Sequence, residues 1–287
     1  MRPGYDSTKR NRNIGTAKQG HGRSNRLVIP WPDERVFYER LNKPVSVCRS
    51  VFGRETVFLV EPPYPGFVHA CTVDDIVRML ELVPAAERFE VRTYVLRQPT
   101  RKQRLIRPVW GRLVYSANLG KYSGPTIQIE AQRPGETFKW GRRLVPTDVK
   151  ALERLRADGH KVRETKRNYL IEISLESIRT TQLYRTLLHE VGHYVHYISS
   201  VRDAVAGSAN ANERLRAEET YWSKPSQELE TFANGYAQRL GDILSKGGRI
   251  PFERILTGPR LARDGLRRDW FCTSANKTIQ PVVLKSS

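Results

Sequence analysis

Residues 187–196, Leu187-Leu188-His189-Glu190-Val191-Gly192-His193-Tyr194-Val195-His196, lie in the most strongly patterned part of the chain. From about Thr180 onward, apolar side chains recur every three or four residues, which predicts an amphipathic helix. These side chains are Leu183, Leu187, Leu188, Val191, Val195 and Ile198. In such a helix His189 and His193 share one face, because residues four apart lie one above the other.

The spacing His-Glu-x-x-His suits a zinc site. Two imidazoles on one helix face can bind the same Zn²⁺ ion, and the neighbouring Glu190 then lies beside the metal. From there its carboxylate can take a proton from a water molecule acidified by the metal, and later give that proton to the departing amine. Three of the six histidines of the chain fall within this segment, which favours a metal site over a structural helix with coincidental histidines.

Such a site needs a third protein ligand. The longer pattern with three histidines would place the last one at position 199, which is Ser199. His196 follows His193 by only three residues, and a straight helix turns it away from the shared face. We therefore interpret His196 as a supporting or surface residue, and we expect a carboxylate from a later helix to complete the site.

Segment 225–237 predicts that later helix and supplies the carboxylate. Glu230 shares a helix face with Ala233, Asn234 and Ala237, and small side chains below a carboxylate let two helices approach closely. Glu228 lies about 200° around the helix from Glu230. It is typical of the acids that the helix dipole favours in a first turn. Glu230 is the preferred ligand, and the alternatives are Glu228, Glu218 and Glu219.

His-Glu-Val-Gly-His at 189–193, followed about 35 residues later by Glu-Leu-Glu-Thr-Phe-Ala-Asn-Gly-Tyr-Ala at 228–237, resembles the gluzincin metallopeptidases. Within that clan the chain is most similar to the family of the anthrax lethal factor protease domain, over roughly residues 70–245. The resemblance implies that Zn²⁺ is held by His189, His193 and Glu230, and that Glu190 is the catalytic base.

The same resemblance implies a catalytic tyrosine before the glutamate helix, whose hydroxyl stabilises the oxyanion of the tetrahedral intermediate. Tyr221 stands nine residues before Glu230, a slightly longer gap than the family usually shows. The alternative interpretation of Tyr221 is a tyrosine packed between helices.

The surrounding sequence predicts an α+β fold with a zincin-like core. Thr72 and Asp75 have the spacing of a capping box at the start of a helix over 72–83, which we expect to back a small mixed sheet. Strands are predicted at 45–51, 56–60, 89–97, 109–115, 126–131 and 169–175, and a further helix at 147–157. The resemblance implies that 126–131 is the edge strand beside the metal, able to pair with an extended peptide substrate. The alternative is an ordinary paired strand inside the sheet.

Four regions are expected along the chain. They are a disordered basic tail at 1–30, a β-rich N-terminal extension at 31–70, the metallopeptidase domain at 71–246 and a basic C-terminal extension at 247–287. Within the last region, residues 278–284 are a candidate strand.

Composition limits the class of protein. No apolar stretch approaches the length of a membrane-spanning helix, and the basic start of the chain lacks the apolar run of a secretory signal, so we expect a cytoplasmic protein.

Cys48, Cys71 and Cys272 are widely separated and odd in number, which predicts inert thiols and neither a disulfide framework nor a cysteine zinc site.

The chain carries a formal net charge of +19, spread over the tail and over the segments 97–107, 139–143 and 258–270. Such a charge is compatible with acidic partners without identifying one, and the basic tail is a candidate for binding nucleic acid, besides a protein or peptide substrate of the core. The alternative for the tail is a solubilising leader without a partner. The main hypothesis is a zinc-dependent endopeptidase that hydrolyses peptide bonds with water activated by the metal and Glu190. The alternative is a nucleic-acid-associated protein whose zincin core acts on bound proteins or serves as a scaffold. A third hypothesis, a partner-binding protein with an inactive core, is disfavoured by the presence of Glu190.

Overall fold

A computed structural model describes residues 36, 38–84, 91–106, 109–201 and 211–273. The predicted tail at 1–30 and the candidate strand at 278–284 lie outside the described residues. The chain divides into two units, residues 1–40 and 41–287. In the first unit, the backbone N–H of Val36 donates to the carboxylate of Glu39 in a turn. All the elements below belong to the second unit.

The larger sheet has five strands in the order β1-β2-β3-β5-β4. Strands β2, β3 and β5 run parallel to one another, and β1 and β4 pair antiparallel at the two edges. The sheet is therefore mixed, as predicted, and the N-terminal strands belong to it. The strands are β1 Val45–Val51, β2 Arg54–Val60, β3 Thr93–Arg97, β4 Gly111–Leu119 and β5 Tyr122–Glu130.

The prediction that 126–131 forms the edge strand is wrong. Thr126 pairs with Thr93 of β3 on one side and with Val114 of β4 on the other, so β5 lies inside the sheet and β4 is the edge. The alternation of polar and apolar residues suggested a half-exposed strand. In the structure the polar side chain of Gln128 is also buried, because helices and loops cover this end of the sheet.

A second, antiparallel sheet has the order β6-β8-β7. Helix α3 covers one of its faces, where Leu152 and Leu155 pack against Ile171 of β8. Only β8 and α3 were predicted. The elements are β6 Thr137–Gly141, α3 Pro146–Ala157, β7 Lys161–Glu164 and β8 Asn168–Glu172.

The remaining helices surround the larger sheet. The capping box at Thr72 and Asp75 is confirmed at the start of the first of them. The segment that carries His189 is continuous from α4 through a π-helical turn into α5. In the described part of the chain, no helix is long and apolar enough to cross a membrane. The helices are α1 Val73–Glu81, α2 Arg101–Ile106, α4 Leu175–Thr180, the π-helix Thr181–Thr186, α5 Leu187–Val201, α6 Ala211–Trp222, α7 Ser226–Lys246 and α8 Gly258–Arg263.

The main core lies between the five-stranded sheet and helices α1, α5 and α7. Ile127 of β5, Ile76 of α1 and Leu187 of α5 are fully buried within it. The chain beyond α7 also contributes to this core through Leu261 and Phe271. The fold is thus a mixed α+β arrangement in which α5 is packed between the sheet and α7.

Candidate metal centre

The structure brings His189, His193 and Glu230 together at the surface of α5 and α7. The Nε2 atoms of the two histidines are 3.0 Å apart. The carboxylate oxygens of Glu230 lie 3.4 Å from Nε2 of His189 and 3.5 Å from Nε2 of His193. Among the described residues, these three form the group of His, Cys, Asp or Glu side chains close enough to share one metal ion.

The spacing of these donors fits a tetrahedral ion. Bond lengths of about 2.0–2.1 Å at tetrahedral angles place neighbouring donors about 3.3 Å apart. The observed separations of 3.0, 3.4 and 3.5 Å scatter around that value. The side chain of Glu230 is 53% exposed, so one side of the group is open to solvent. Hydrogen bonds from His189 and His193 hold the pKa of Glu230 well below its usual range.

Close contact between α5 and α7 makes this convergence possible. Gly192, immediately before His193, lies directly against Tyr236 of α7. Ala233 and Ala237, predicted to lie on the inner face of α7, are buried. With no side chain at position 192, the two helix backbones approach closely enough for Glu230 to meet the histidines.

The π-helix fixes α5 relative to the edge of the sheet. The side-chain amide of Gln182 donates to the carbonyl of Glu130 at 2.6 Å and to that of Trp110 at 3.1 Å. Gly111, at the start of β4, leaves no room for a Cβ, which would lie 2.9 Å from Cγ2 of Thr186. The edge strand therefore runs directly along the helix that carries the histidines. π-helical turns of this kind are frequent at functional sites.

A second set of hydrogen bonds supports the turn of α7 below Glu230. The amide of Asn234 donates to the backbone carbonyl of Glu230 at 2.7 Å. Arg154 of α3 donates to the side-chain oxygen of Asn234 at 2.8 Å. Helix α3 thus contacts α7 one turn from the candidate ligand.

Glu190 lies beside the group, in a much drier environment. It is only 8% exposed, and its carboxylate accepts a hydrogen bond of 2.7 Å from the backbone N–H of Leu113 in β4. Burial raises the pKa of Glu190, while the charges of His189 and His193 and the Leu113 N–H oppose that rise. A carboxyl with a raised pKa next to a metal-type donor set is suited to accept and release a proton.

Tyr221 is packed inside an aromatic cluster, with 1% of its surface exposed. Its hydroxyl lies 3.0 Å from that of Tyr115 and makes a long contact of 3.5 Å with the carbonyl of His193. The rings of Tyr197 and Trp222 pack around it. These contacts match the packed-tyrosine interpretation, and the oxyanion role of Tyr221 stays a prediction from the resemblance.

Tyr115 was not singled out from the sequence. It lies in β4, two residues beyond Leu113, and its hydroxyl approaches the carbonyl of His193 at 3.4 Å. Strand alternation would have placed Tyr115 on the same side as Leu113, but only once β4 was known to be the edge beside α5.

The alternative ligands lie elsewhere. His196 is buried rather than at the surface, and its ring stacks on Phe232 with centroids 4.1 Å apart. Glu228 accepts a hydrogen bond of 2.8 Å from Lys224. Glu218 accepts one of 3.2 Å from the hydroxyl of Tyr197. The expectation that His196 turns away from the shared face agrees with its position.

The three cysteines are free. Burial raises the pKa of Cys71 to about 12, which makes its thiol unreactive at neutral pH. Cys48 is exposed and Cys272 is partly exposed.

Searches against protein-family models, curated proteins and solved structures gave no match to this chain.

Proposed function

We propose that the protein is a zinc-dependent endopeptidase of the gluzincin type. The observation that carries this proposal is the convergence of His189, His193 and Glu230 at the donor spacing of a tetrahedral site. The donor set of two imidazoles and one carboxylate is that of catalytic zinc sites, which leave a further position open. The exposure of Glu230 provides that opening.

His189, His193 and Glu230 would hold the ion, and bound Zn²⁺ would supply Lewis-acid polarisation of the scissile carbonyl and acidify water. Glu190 takes the proton of the attacking water and delivers it to the departing nitrogen. The Leu113 N–H orients the Glu190 carboxylate through one of its oxygens, which leaves the other free for proton transfer.

The edge strand supports an extended peptide as the substrate. The N–H of Leu113 points away from β5, toward the site, and the carbonyl of the same residue faces the same side. A peptide that pairs along this edge would bring its backbone carbonyl to the metal side of α5. A site that lies along a strand edge favours cleavage within an extended peptide, which is the reaction of an endopeptidase.

Two glutamates of α7 offer a matched test of metal binding. Glu228 and Glu230 have side chains 51% and 53% exposed and lie two residues apart on the same helix. We expect Glu230→Gln to lower zinc affinity at least about tenfold, since loss of even a hydrogen-bond partner of a zinc ligand costs about 10–100-fold, and Glu228→Gln to leave it unchanged. Competition with a chromophoric chelator measures both affinities. Equal zinc affinities in the two variants would show that Glu230 is not a ligand and would overturn the gluzincin assignment.

A separate experiment tests the chemistry. The wild-type protein loaded with zinc is incubated with a random peptide library, and cleavage is followed by mass spectrometry. Glu190→Gln is expected to retain about one zinc per chain and to lose cleavage by about 10³-fold or more, because the proton acceptor is gone. His189→Ala is expected to lose the metal, and His196→Ala to keep it. Zinc binding by the wild type without any cleavage would overturn the enzymatic proposal.

A further inference from the structure

The three-stranded sheet has one covered face and one open face. Phe138, Val162 and Ile171 stand in register on the side covered by α3. The next row along the strands, Lys139, Leu170 and Arg163, points to the opposite side. The basic side chains on that open side are exposed.

This open face is strongly basic. Lys161 lies on it two residues before Arg163, and Lys166 and Arg167 project from the turn that joins β7 to β8. Among the described residues, none of these basic groups has a carboxylate within 4.0 Å. On the described strands this face carries one acid, Glu172, which stands opposite Lys161 at the end away from the turn. We name this surface the basic sheet face, and it consists of Lys139, Lys161, Arg163, Lys166 and Arg167.

The turn at the end of the basic sheet face is held in place. Thr165 donates from its backbone N–H to the carbonyl of Asn168 at 2.8 Å and accepts from the N–H of Asn168 through its hydroxyl at 3.0 Å. Arg142 donates to the carbonyl of Thr165 at 2.8 Å and forms an ion pair of 2.7 Å with Glu164. A braced turn presents its two basic side chains with a small loss of entropy on binding.

We propose that the basic sheet face binds the phosphate backbone of double-stranded DNA. The two outer strands of a three-stranded sheet lie about 10 Å apart. The major groove of B-DNA is about 12 Å wide. A face with outer strands ~10 Å apart can therefore lie over the groove, with Lys139 of β6 and Arg163 of β7 toward the phosphates of its two rims. Residues two apart on one strand face are about 6.6 Å apart, so Lys161 and Arg163 can contact successive phosphates.

The other polyanions fit this face less well. Binding of single-stranded nucleic acid relies on stacking of bases on exposed aromatic rings, whereas Trp140 and Tyr169 point to the covered side. The major groove of A-form RNA is deep and narrow and excludes a sheet. Binding to an anionic membrane surface uses apolar side chains that insert among the lipids, and Leu170 is the only large apolar side chain on the open side of the described strands.

The test uses the full chain and a fluorescein-labelled DNA duplex of 20 base pairs, with binding followed by anisotropy at several salt concentrations. The first variant is K139Q/K161Q/R163Q. The matched control is R216Q/R239Q/K246Q, which removes the same charge from exposed positions on α6 and α7. Circular dichroism melting confirms that both variants are folded.

We expect the sheet variant to bind the duplex at least ~10-fold more weakly, and the slope of log K against log salt to fall by about 3, since each phosphate contact contributes about 0.9. The control is expected to change affinity less than about threefold. In the wild type, the duplex should protect Lys139 and Lys161 from acetylation, as measured by mass spectrometry. Equal losses in both variants, or no protection, would overturn the proposal.

Three further probes decide between polyanions. The single strand, an RNA duplex of the same sequence and vesicles containing phosphatidylserine are each titrated with the wild type and the sheet variant. Tighter binding of the DNA duplex supports the proposal. Binding of any other probe with equal or higher affinity, lost in the sheet variant, would overturn it. The outcome does not depend on zinc or on peptidase activity, so it can fail or succeed separately from the proposed enzyme function.

Discussion

Gly192 of α5 lies directly against Tyr236 of α7, which brings the two helices of the candidate metal centre close together. A Cβ built on Gly192 would lie 3.0 Å from both Cβ and Cδ1 of Tyr236, closer than real Cβ atoms usually come. Because the Cβ of Tyr236 is fixed by the backbone of α7, a side chain at position 192 requires the helices to shift by a few tenths of an ångström. Since Glu230 lies on α7, this contact determines where its carboxylate stands relative to the histidines.

Gly192→Ala is therefore expected to lower zinc affinity at least ~10-fold. The free energy of unfolding should fall by less than the overpacking cost of about 1–3 kcal/mol, because alanine in a helix regains about 1 kcal/mol relative to glycine. Gly241→Ala is the control, since the nearest atom to a new Cβ there is the carbonyl oxygen of Tyr184 at 4.0 Å. It should keep zinc affinity and gain up to about 1 kcal/mol. Competition titration and urea unfolding measure the two quantities, and equal zinc affinity in both variants would contradict the positioning role of Gly192.

The hydrogen bond from Leu113 to Glu190 predicts a shift in the pH dependence of peptide cleavage. Burial raises the pKa of Glu190, and the Leu113 N–H counteracts that rise by stabilising the carboxylate. Leu113→Pro removes the N–H without breaking the ladder, because this N–H faces away from β5 and proline is tolerated at a sheet edge. The pKa of Glu190 should then rise. In the proposed mechanism the base acts only as a carboxylate, so the acid limb of kcat/KM should move to higher pH.

Leu113→Ala is the control for that experiment, because it shortens the side chain but keeps the backbone donor. Its profile of kcat/KM against pH should match that of the wild type, apart from a change in the maximal value of kcat/KM. The same acid limb in the proline and alanine variants would show that the Leu113 N–H does not tune Glu190.

The sequence predicts the parts of this protein that depend on local periodicity. Helical periodicity places His189 and His193 on one face of α5, and it places Glu230 on the inner face of α7. The structure brings the three side chains together. The helix after Thr72 begins at its capping box. In each case the signal comes from side chains within one or two turns of a single helix.

Pairing between distant strands could not be predicted in the same way. The resemblance implies an edge strand at 126–131, but Thr126 and Gln128 are buried on β5, between β3 and the edge strand β4. Strands β6 and β7 have too few apolar residues to stand out, since α3 covers only one of their faces. The contact between Tyr115 and the aromatic cluster depends on which strand lies beside α5, and no local pattern carries that information.

Asp75 shows how a local motif acquires a second role. Besides its capping contacts, its fully buried carboxylate accepts hydrogen bonds of 3.0 Å from Arg179 of α4 and from the backbone N–H of Ile255. We expect Asp75→Asn to destabilise the protein by about 3–5 kcal/mol, because the guanidinium of Arg179 would lose its buried partner. Thr72→Ala removes the cap and is expected to cost about 1–2 kcal/mol. Urea unfolding in the presence of a chelator measures both, and a smaller effect for Asp75→Asn than for Thr72→Ala would contradict this ranking.

His69, which lies outside the candidate metal centre, is expected to make the free energy of unfolding depend on pH. The side chain is buried, and its Nε2 lies 2.7 Å from the carbonyl oxygen of Glu61. Burial lowers the pKa of His69 from 6.5 to about 4. In this interval the unfolded chain binds a proton on His69 and the native protein does not. The free energy of unfolding therefore rises with pH across it, and stability present above pH 6.5 is lost as the pH falls toward 4.

The contribution of His69 to that loss is on the order of 3 kcal/mol. His69→Gln should flatten the dependence, because an amide can donate to the carbonyl of Glu61 but does not titrate. Part of the slope should remain, since burial also lowers the pKa of His160 to about 4. Urea unfolding at intervals between pH 4 and 7, with a chelator present, gives the slope for each protein. His189 and His193 are common to both proteins, so their contribution cancels in the difference. Parallel slopes for wild type and His69→Gln would mean that His69 is protonated in the native protein and that its burial does not exclude the charge.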